Sequence, residues 1–482
     1  MNYKKESIQG IKWTAIHKWT SEITSFIVII ILARLLDPWT FGIVALANVF
    51  ISILEHFYNM GLGVALIQRD KLEDEHKNSV FWFNIVVSAI IIIIAMFLAG
   101  SVAVFFDEQI LKPVIIMLSL SIIATSLVTV QSALLTREFR FSTLAKRHII
   151  AAVASGIIGI GMAVNGFGIW SLVGMYLSKS IIGMIVIWSA AEWKPGFTFS
   201  MKHLRELLGF SVYLFLSNII KSIARQGDKF LIGTFLSVES VGIYKIAQNI
   251  VHNINSLISG IFSNVSLPVF SRMQHDDEKL LKSYYMNIRL SLFCTTPFLV
   301  IVISYPELIL GKVLGDQWLG GTVVLQILAG VGVMHSISYF SDPIILSKGY
   351  SKYKLYLTGA YSVLTIGFIF LFIPYGIEGV AFAVLASSVL HHIIFIAIIK
   401  KILLFHVGKH IINIVIGLSP AIIMYAGMQL VMLVNLDVML IYHVAISVLL
   451  GISLYIIALY IFDKYLVSLI VTEVKKLRNA SI

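Results

Sequence analysis

Apolar runs of about 20 residues, the length a helix needs to cross roughly 30 Å of hydrocarbon, follow one another along this chain almost without pause. Fourteen are legible: 14–36, 40–66, 78–106, 111–135, 147–165, 168–189, 206–235, 239–270, 283–304, 320–346, 353–373, 376–399, 410–434 and 438–462. Hydrophobic residues make up 58% of the 482 positions and charged ones 13%, the latter about half the share of a soluble globular chain. A water-soluble core of this size has no room for so much apolar surface. A soluble enzyme, a nucleic-acid module and a disordered chain are therefore excluded. The runs are too long, and too free of apolar/polar alternation, for a barrel. The expectation is an all-α, polytopic integral membrane protein with about 14 transmembrane helices.

The connections carry a second pattern. Placing the amino terminus in the cytoplasm puts twenty-eight of the 36 basic residues on inside flanks, among them Arg69, Lys71, Arg137, Arg140, Arg147, Arg289, Lys348 and Lys400. The outside flanks hold only Arg34, Lys112 and Lys312. Such alternation fixes orientation and parity and predicts both termini in the cytoplasm. The outside turns are short, and the widest outside segment, Pro306 to Gly321, suits an interfacial position. The net charge of +11 then reflects basic cytoplasmic loops, with no nucleic-acid partner implied. No cleavable signal peptide is expected in the polar, lysine-rich first eighteen residues. One cysteine, Cys294, leaves no disulfide framework and no multi-cysteine metal site.

An internal repeat is visible at an offset of 200. Leu32-Ala-Arg-Leu-Leu-Asp-Pro-Trp-Thr-Phe-Gly-Ile43 lies over Ile232-Gly-Thr-Phe-Leu-Ser-Val-Glu-Ser-Val-Gly-Ile243, with Gly42 on Gly242 and Ala47 on Ala247. Six spans separate the copies, so both share one orientation and are related by an axis along the membrane normal. This predicts two six-helix lobes, residues 1–200 and 201–400, followed by two closing helices and a cytoplasmic tail in 401–482.

Five cations fall inside spans: Lys179, Lys221, Arg225, Lys229 and Lys245. A cation at the centre of a lipid-facing helix costs roughly 2.5–3.5 kcal/mol, so several on one chain call for water or a partner. Lys221, Arg225 and Lys229 are four apart and form one stripe on the seventh helix. Two readings stand side by side. The outer lysines snorkel and Asp228 neutralises Arg225, or the five line a cavity that attracts an anionic group such as a pyrophosphate, with arginine supplying bidentate contacts. The acids Glu22, Glu55 and Asp228 are candidates for proton or Na⁺ coupling, Glu55 standing next to His56. His252, His335, His391 and His392 suit packed or interfacial positions. There is no phosphate-binding Gly-x-x-x-x-Gly-Lys-Ser/Thr loop, no His-Glu-x-x-His and no nucleophile motif, so no enzyme activity, metal or cofactor is expected. Gly156-Ile-Ile-Gly-Ile-Gly161 lies within a span and reads as a helix-packing surface.

Seven motifs in order resemble a known family. They are Leu32 to Ile43, Gly61-Leu-Gly-Val-Ala-Leu-Ile-Gln-Arg69, Ala133-Leu-Leu-Thr-Arg-Glu-Phe-Arg-Phe141, Gly166-Phe-Gly-Ile-Trp-Ser-Leu172, Asp228-Lys-Phe-Leu-Ile-Gly233, Gly242-Ile-Tyr-Lys-Ile-Ala247 and Leu267-Pro-Val-Phe-Ser-Arg272. They are similar to the polysaccharide transporter branch of the multidrug/oligosaccharidyl-lipid/polysaccharide exporter superfamily, the Wzx-type flippases, and within it to those serving colanic acid or teichuronic acid export. The likeness covers about residues 7–400.

The resemblance implies a V-shaped, MATE-like pair of lobes that turns an undecaprenyl-pyrophosphate-linked oligosaccharide from the inner to the outer leaflet of a bacterial cytoplasmic membrane by alternating access. It implies that basic cavity residues receive the pyrophosphate, and that the partners are membrane lipids, a polysaccharide polymerase and a chain-length regulator. Family members often carry Arg or Asn one turn before the Asp of the seventh-helix motif, where this chain has Ala224 and Arg225. A multidrug exporter of the same superfamily is the alternative. It favours acidic cavity residues for cationic drugs, whereas these membrane charges are net basic.

Overall fold

The structure is a computed structural model that describes residues 3–434 and 440–464, together with 466, 468 and 472. Among them there is no β-strand. Every backbone donor and acceptor of a lipid-immersed segment has to be satisfied within the segment, and in the absence of a closed barrel only helices do this. Apolar side chains cover the outside: Phe97 is 81% exposed and Val363 72%. In water such a surface would be a liability, whereas against acyl chains it is the ordinary exterior.

The chain divides into two compact units, Met1–Ile246 with Val313–Gly320, and Ala247–Lys312 with Gly321–Ile482. The first holds α1 (Tyr3–Leu35), α2 (Pro38–Asn59), α3 (Leu62–Gln68), α4 (Asp74–Phe105), α5 (Leu111–Ser119), α6 (Ser121–Ser126), α7 (Thr129–Arg137), α8 (Phe141–Val164), α9 (Ile169–Ala190) and α10 (Met201–Phe235). The boundary falls inside α11 (Val238–Arg272). The second holds α12 (Asp277–Ser304), α13 (Thr322–Ser338), α14 (Ser341–Ser347), α15 (Ser351–Phe372), α16 (Gly376–Ile402), α17 (Val407–Leu433) and α18 (Leu440–Phe462). Ten segments among the described residues are long and apolar enough to cross a membrane, and one of them, Ser351–Ile402, contains both α15 and α16. With α1, α10 and α11, helices of 33, 35 and 35 residues, the chain accommodates the fourteen crossings read from its sequence.

Several apolar runs are broken where the backbone turns. The run 40–66 splits into α2 and α3 at Met60 and Gly61, whose φ values of 41° and 76° are left-handed. The run 111–135 becomes the three short helices α5, α6 and α7. Elsewhere small residues set the spacing between helices. In the first unit, Gly156 of α8 faces Val28 of α1, and Gly159 faces Met175 of α9. In the second, Gly417 of α17 faces Leu292 of α12, and Gly427 faces Leu454 of α18. A buried cluster of Phe270, Tyr284, Ile288, Phe340, Phe395 and Phe405 forms the core of the second unit.

The repeat is visible in the backbone. The first helix–turn–helix closes α1 at Leu35 and opens α2 at Pro38; the second closes α10 at Phe235 and opens α11 at Val238, an offset of 200 at both points. The caps repeat too. Asp37 Oδ1 accepts from the Thr40 amide at 2.8 Å, and Ser237 Oγ accepts from the Ser240 amide at 3.1 Å, each satisfying an open donor of the following helix. The two turns also pack against each other reciprocally. A Cβ on Gly42 would overlap the Val238 carbonyl, and one on Gly242 would overlap the Pro38 carbonyl. The pairing of 42 with 238 and of 242 with 38 is that of a local two-fold.

The segment Pro306 to Gly321 sends Trp318 inward, fully buried. Its Nε1 donates to the Ala33 carbonyl at 2.8 Å, Gln317 Nε2 donates to the same oxygen at 3.1 Å, and the indole meets Phe41 edge-on at 5.4 Å.

Candidate functional site

All five membrane cations named from the sequence belong to the first unit. α10 is held against α2 by Gln226 Nε2 donating to Ser52 Oγ at 3.1 Å and by two edge-to-face pairs, Phe215 with Phe57 and Phe230 with Phe50. Phe230 also stacks on Phe105 of α4. These rings fix the rotation of α10 and so decide which of its charges are covered.

Asp228 and Lys229 are both buried. The Lys229 ammonium lies 3.1 Å from Asp228 Oδ1 and 3.4 Å from the Arg225 carbonyl oxygen. One of the two sequence readings pairs Asp228 with Arg225, one turn away; in the structure its Oδ1 meets the adjacent Lys229. Arg225 is exposed and Lys245 partly so. Lys245, near the start of α11, lies within electrostatic reach of Lys229, Asp228 and Arg225, and His56 of α2 is within reach of Arg225. Three cations thus gather around one carboxylate. The Lys221 side chain lies outside the described residues.

Lys179 on α9 stands apart from that group. It is exposed and faces the charge of Glu22 on α1. Glu55 is half-buried on α2 and lies within electrostatic reach of Tyr58 one turn on, which neighbours Thr125. Beside Tyr58 is Arg147, which the sequence assigns to a loop flank. It is half-buried, runs past Gly183 of α9, and places Nη1 3.4 Å from Ser132 Oγ. Its signal was faint: Ala151 and Ala152 extend the helix beyond it, and only tertiary packing turns it inward. The sequence places Arg289 on a flank as well; its Nη1 meets both Asp463 carboxylate oxygens at 3.0 Å in the second unit.

Glu22 has a cation within reach, Lys179, whereas Arg225, Lys229 and Lys245 lie around Asp228, which is ion-paired with Lys229. Among the four charges gathered there, Arg225, Asp228, Lys229 and Lys245, the surplus is positive. A buried ion pair adjoins two cations that are not buried, an arrangement suited to attracting an anionic group while the pair holds the helix face in place.

The model for a family described as polysaccharide biosynthesis protein matches residues 31–322. The teichuronic acid biosynthesis protein TuaB of Bacillus subtilis is 23% identical over 358 residues, 73% of each chain. The succinoglycan biosynthesis transport protein ExoT of Rhizobium meliloti is 25% identical over 337 residues, 70% of this chain and 68% of that one. Among solved structures, the lipid II flippase MurJ in an inward closed conformation superposes with a TM-score of 0.75 at 18% identity, over 94% of this chain and 99% of that chain.

Proposed function

The chain belongs to the polysaccharide biosynthesis protein family, and from that premise we propose that it is a flippase. It carries an undecaprenyl-pyrophosphate-linked oligosaccharide from the inner to the outer leaflet of a bacterial cytoplasmic membrane, for assembly of a surface polysaccharide. It is a multi-pass membrane protein of the MurJ- and MATE-like fold. The names of TuaB and ExoT speak for polysaccharide assembly and transport in place of catalysis.

The observation that carries the cargo is the gathering of Arg225, Lys229 and Lys245 around the Asp228 carboxylate in membrane-spanning helices. A diphosphate is polyanionic and presents oxygens that Arg binds bidentately and Lys as a point charge. The same surplus disfavours the multidrug reading, because a cationic drug would meet repulsion there. Lys221 and Lys179, the other two cations inside spans, are proposed as further positions that meet the substrate. Both termini lie in the cytoplasm, as the loop charges require, and the outer-face product passes to a polymerase and its chain-length regulator. Glu22, Glu55 and Asp228 are the positions at which a proton or Na⁺ would couple to the cycle.

The test is single replacement of Lys221, Arg225 and Lys245 by Ala in the native host, reading exported polysaccharide against membrane abundance of each variant. The expected outcome is normal abundance with export reduced at least several-fold; undiminished export in all three overturns the diphosphate site. Glu55→Gln, assayed in vesicles with and without an ion gradient, tests coupling.

A further inference from the structure

At the end of the first unit remote from the two turns, α4 and α10 begin side by side. α10 is 35 residues long, about 50 Å at 1.5 Å per residue, so its first turn lies far from the cations discussed above. Four side chains converge there. Glu73 is the N-cap of α4 and His76 its third residue, while His203 and Glu206 come from the first two turns of α10. Glu73 Oε2 is 3.1 Å from His203 Nε2, and His76 Nε2 is 3.4 Å from Glu206 Oε2. The imidazole centroids are 4.5 Å apart. One ligand atom each from Glu73, His76 and His203 lies within 4.8 Å of the others. The His76 side chain is 1% exposed, a buried polar ring whose Nε2 points into the group.

We propose that Glu73, His76 and His203 bind a divalent transition-metal ion of the zinc class, which clips the start of α4 to the start of α10. Imidazole and carboxylate are the donors this class prefers. Bonds of about 2.0–2.2 Å in a tetrahedron set the ligands roughly 3.3 Å apart, close to the spacing already present between Glu73 and His203. Two features around the ligands belong to such a site. Ser200 Oγ lies 2.7 Å from His203 Nδ1, placed to take the proton that Nδ1 carries once Nε2 holds the ion, which is how ligating histidines are oriented. Glu206, held by Arg69, lies 3.4 Å from His76 Nε2, a carboxylate beside the group. One contact changes on binding. His76 Nδ1 now accepts from the Glu73 amide at 3.3 Å; with the ion on Nε2 this nitrogen carries a proton and the capping box opens. Metal binding therefore exchanges a helix cap for an inter-helix clip. The proposal is independent of the cargo.

The experiment uses untagged full-length protein in detergent, stripped with chelator and titrated with Zn²⁺ against a chromophoric competitor. One equivalent per chain is expected, together with a Zn²⁺-dependent rise in melting temperature, since a ligand bound only by the folded state stabilises it. Co²⁺ in the same site should give the strong visible bands of tetrahedral coordination. His203→Ala and Glu73→Ala, both at accessible side chains, should weaken binding at least a hundredfold and abolish the Zn²⁺-dependent shift, whereas Asp74→Asn should bind as wild type. Equal Zn²⁺ uptake by wild type and His203→Ala, or a Co²⁺ spectrum no different from the hexaaqua ion, overturns the site. His76→Ala removes a buried ring and is informative only alongside these variants.

Discussion

The two helix–turn–helix copies of the first unit share a backbone and differ in charge. Both keep a side-chain cap, Asp37 or Ser237, and both keep a glycine pressed onto the other copy's carbonyl. Where the second copy has Lys221, Arg225, Asp228, Lys229 and Lys245, however, the first has Ser21, Ser25, Val28, Ile29 and Ala45. The shared positions are those at which backbone geometry leaves no choice. The differing ones carry no such constraint, and there the second copy has taken on a cluster of cations while the first has stayed apolar or hydroxylic. Fold and chemistry are thus written on separate residues of one repeat.

The largest expected effect attacks what is shared. Gly242→Val or Gly42→Val drives methyls into a backbone carbonyl that cannot rotate away, and overpacking of this kind costs about 3 kcal/mol or more. Purified variants should show a large drop in melting temperature or no monodisperse protein. The double variant should lose less than the sum, because both glycines serve one contact. Gly161→Val, where nothing lies within 4 Å of the added carbon, should melt close to wild type.

Next come substitutions that convert one copy into the other. Lys229→Ile takes the ammonium from a buried carboxylate, a change worth about 3–5 kcal/mol. The double variant Asp228→Val, Lys229→Ile installs the residues of the first copy, and replacing a buried pair by apolar groups is commonly neutral or stabilising. Thermal melts should therefore recover in the double variant while export stays impaired. Arg225→Ser should leave the melt within about 0.5 kcal/mol, as for surface changes in general, yet reduce export. Equal export would erase the functional distinction between the copies. The smallest effect is at the caps. Asp37→Ala and Ser237→Ala should each cost about 1 kcal/mol, with Asp37 the larger because its charge also meets the helix dipole.

Much of the fold was legible because hydrocarbon thickness and loop charge are strong, local signals. The α10 and α11 boundaries at Phe235 and Val238 fall within a few residues of the runs 206–235 and 239–270. The break at Met60 was not legible, because a non-glycine residue adopts the left-handed conformation there, against its intrinsic preference. Of the site, the cations themselves could be read, since charge inside an apolar run is conspicuous. Their partners could not. Lys229 takes the neighbouring Asp228 in place of the carboxylate being shared one turn back with Arg225, a matter of rotamer and burial. His76 and His203 are separated by more than a hundred positions, and Arg289 reaches Asp463 from further still. No periodicity links such pairs; only the packed helices do.

Trp318 has a practical implication for dissecting the molecule. The segment Val313–Gly320 is grouped with residues up to Ile246, although the chain on either side of it belongs elsewhere, and its indole caps the Ala33 carbonyl where α1 ends. A fragment truncated after Ile246 would retain both glycines and both caps but leave that oxygen and the face of Phe41 bare. Half-length expression, split reporters and domain exchange would each need this octapeptide supplied, by permutation or in trans, before the amino-terminal half could behave as an autonomous module.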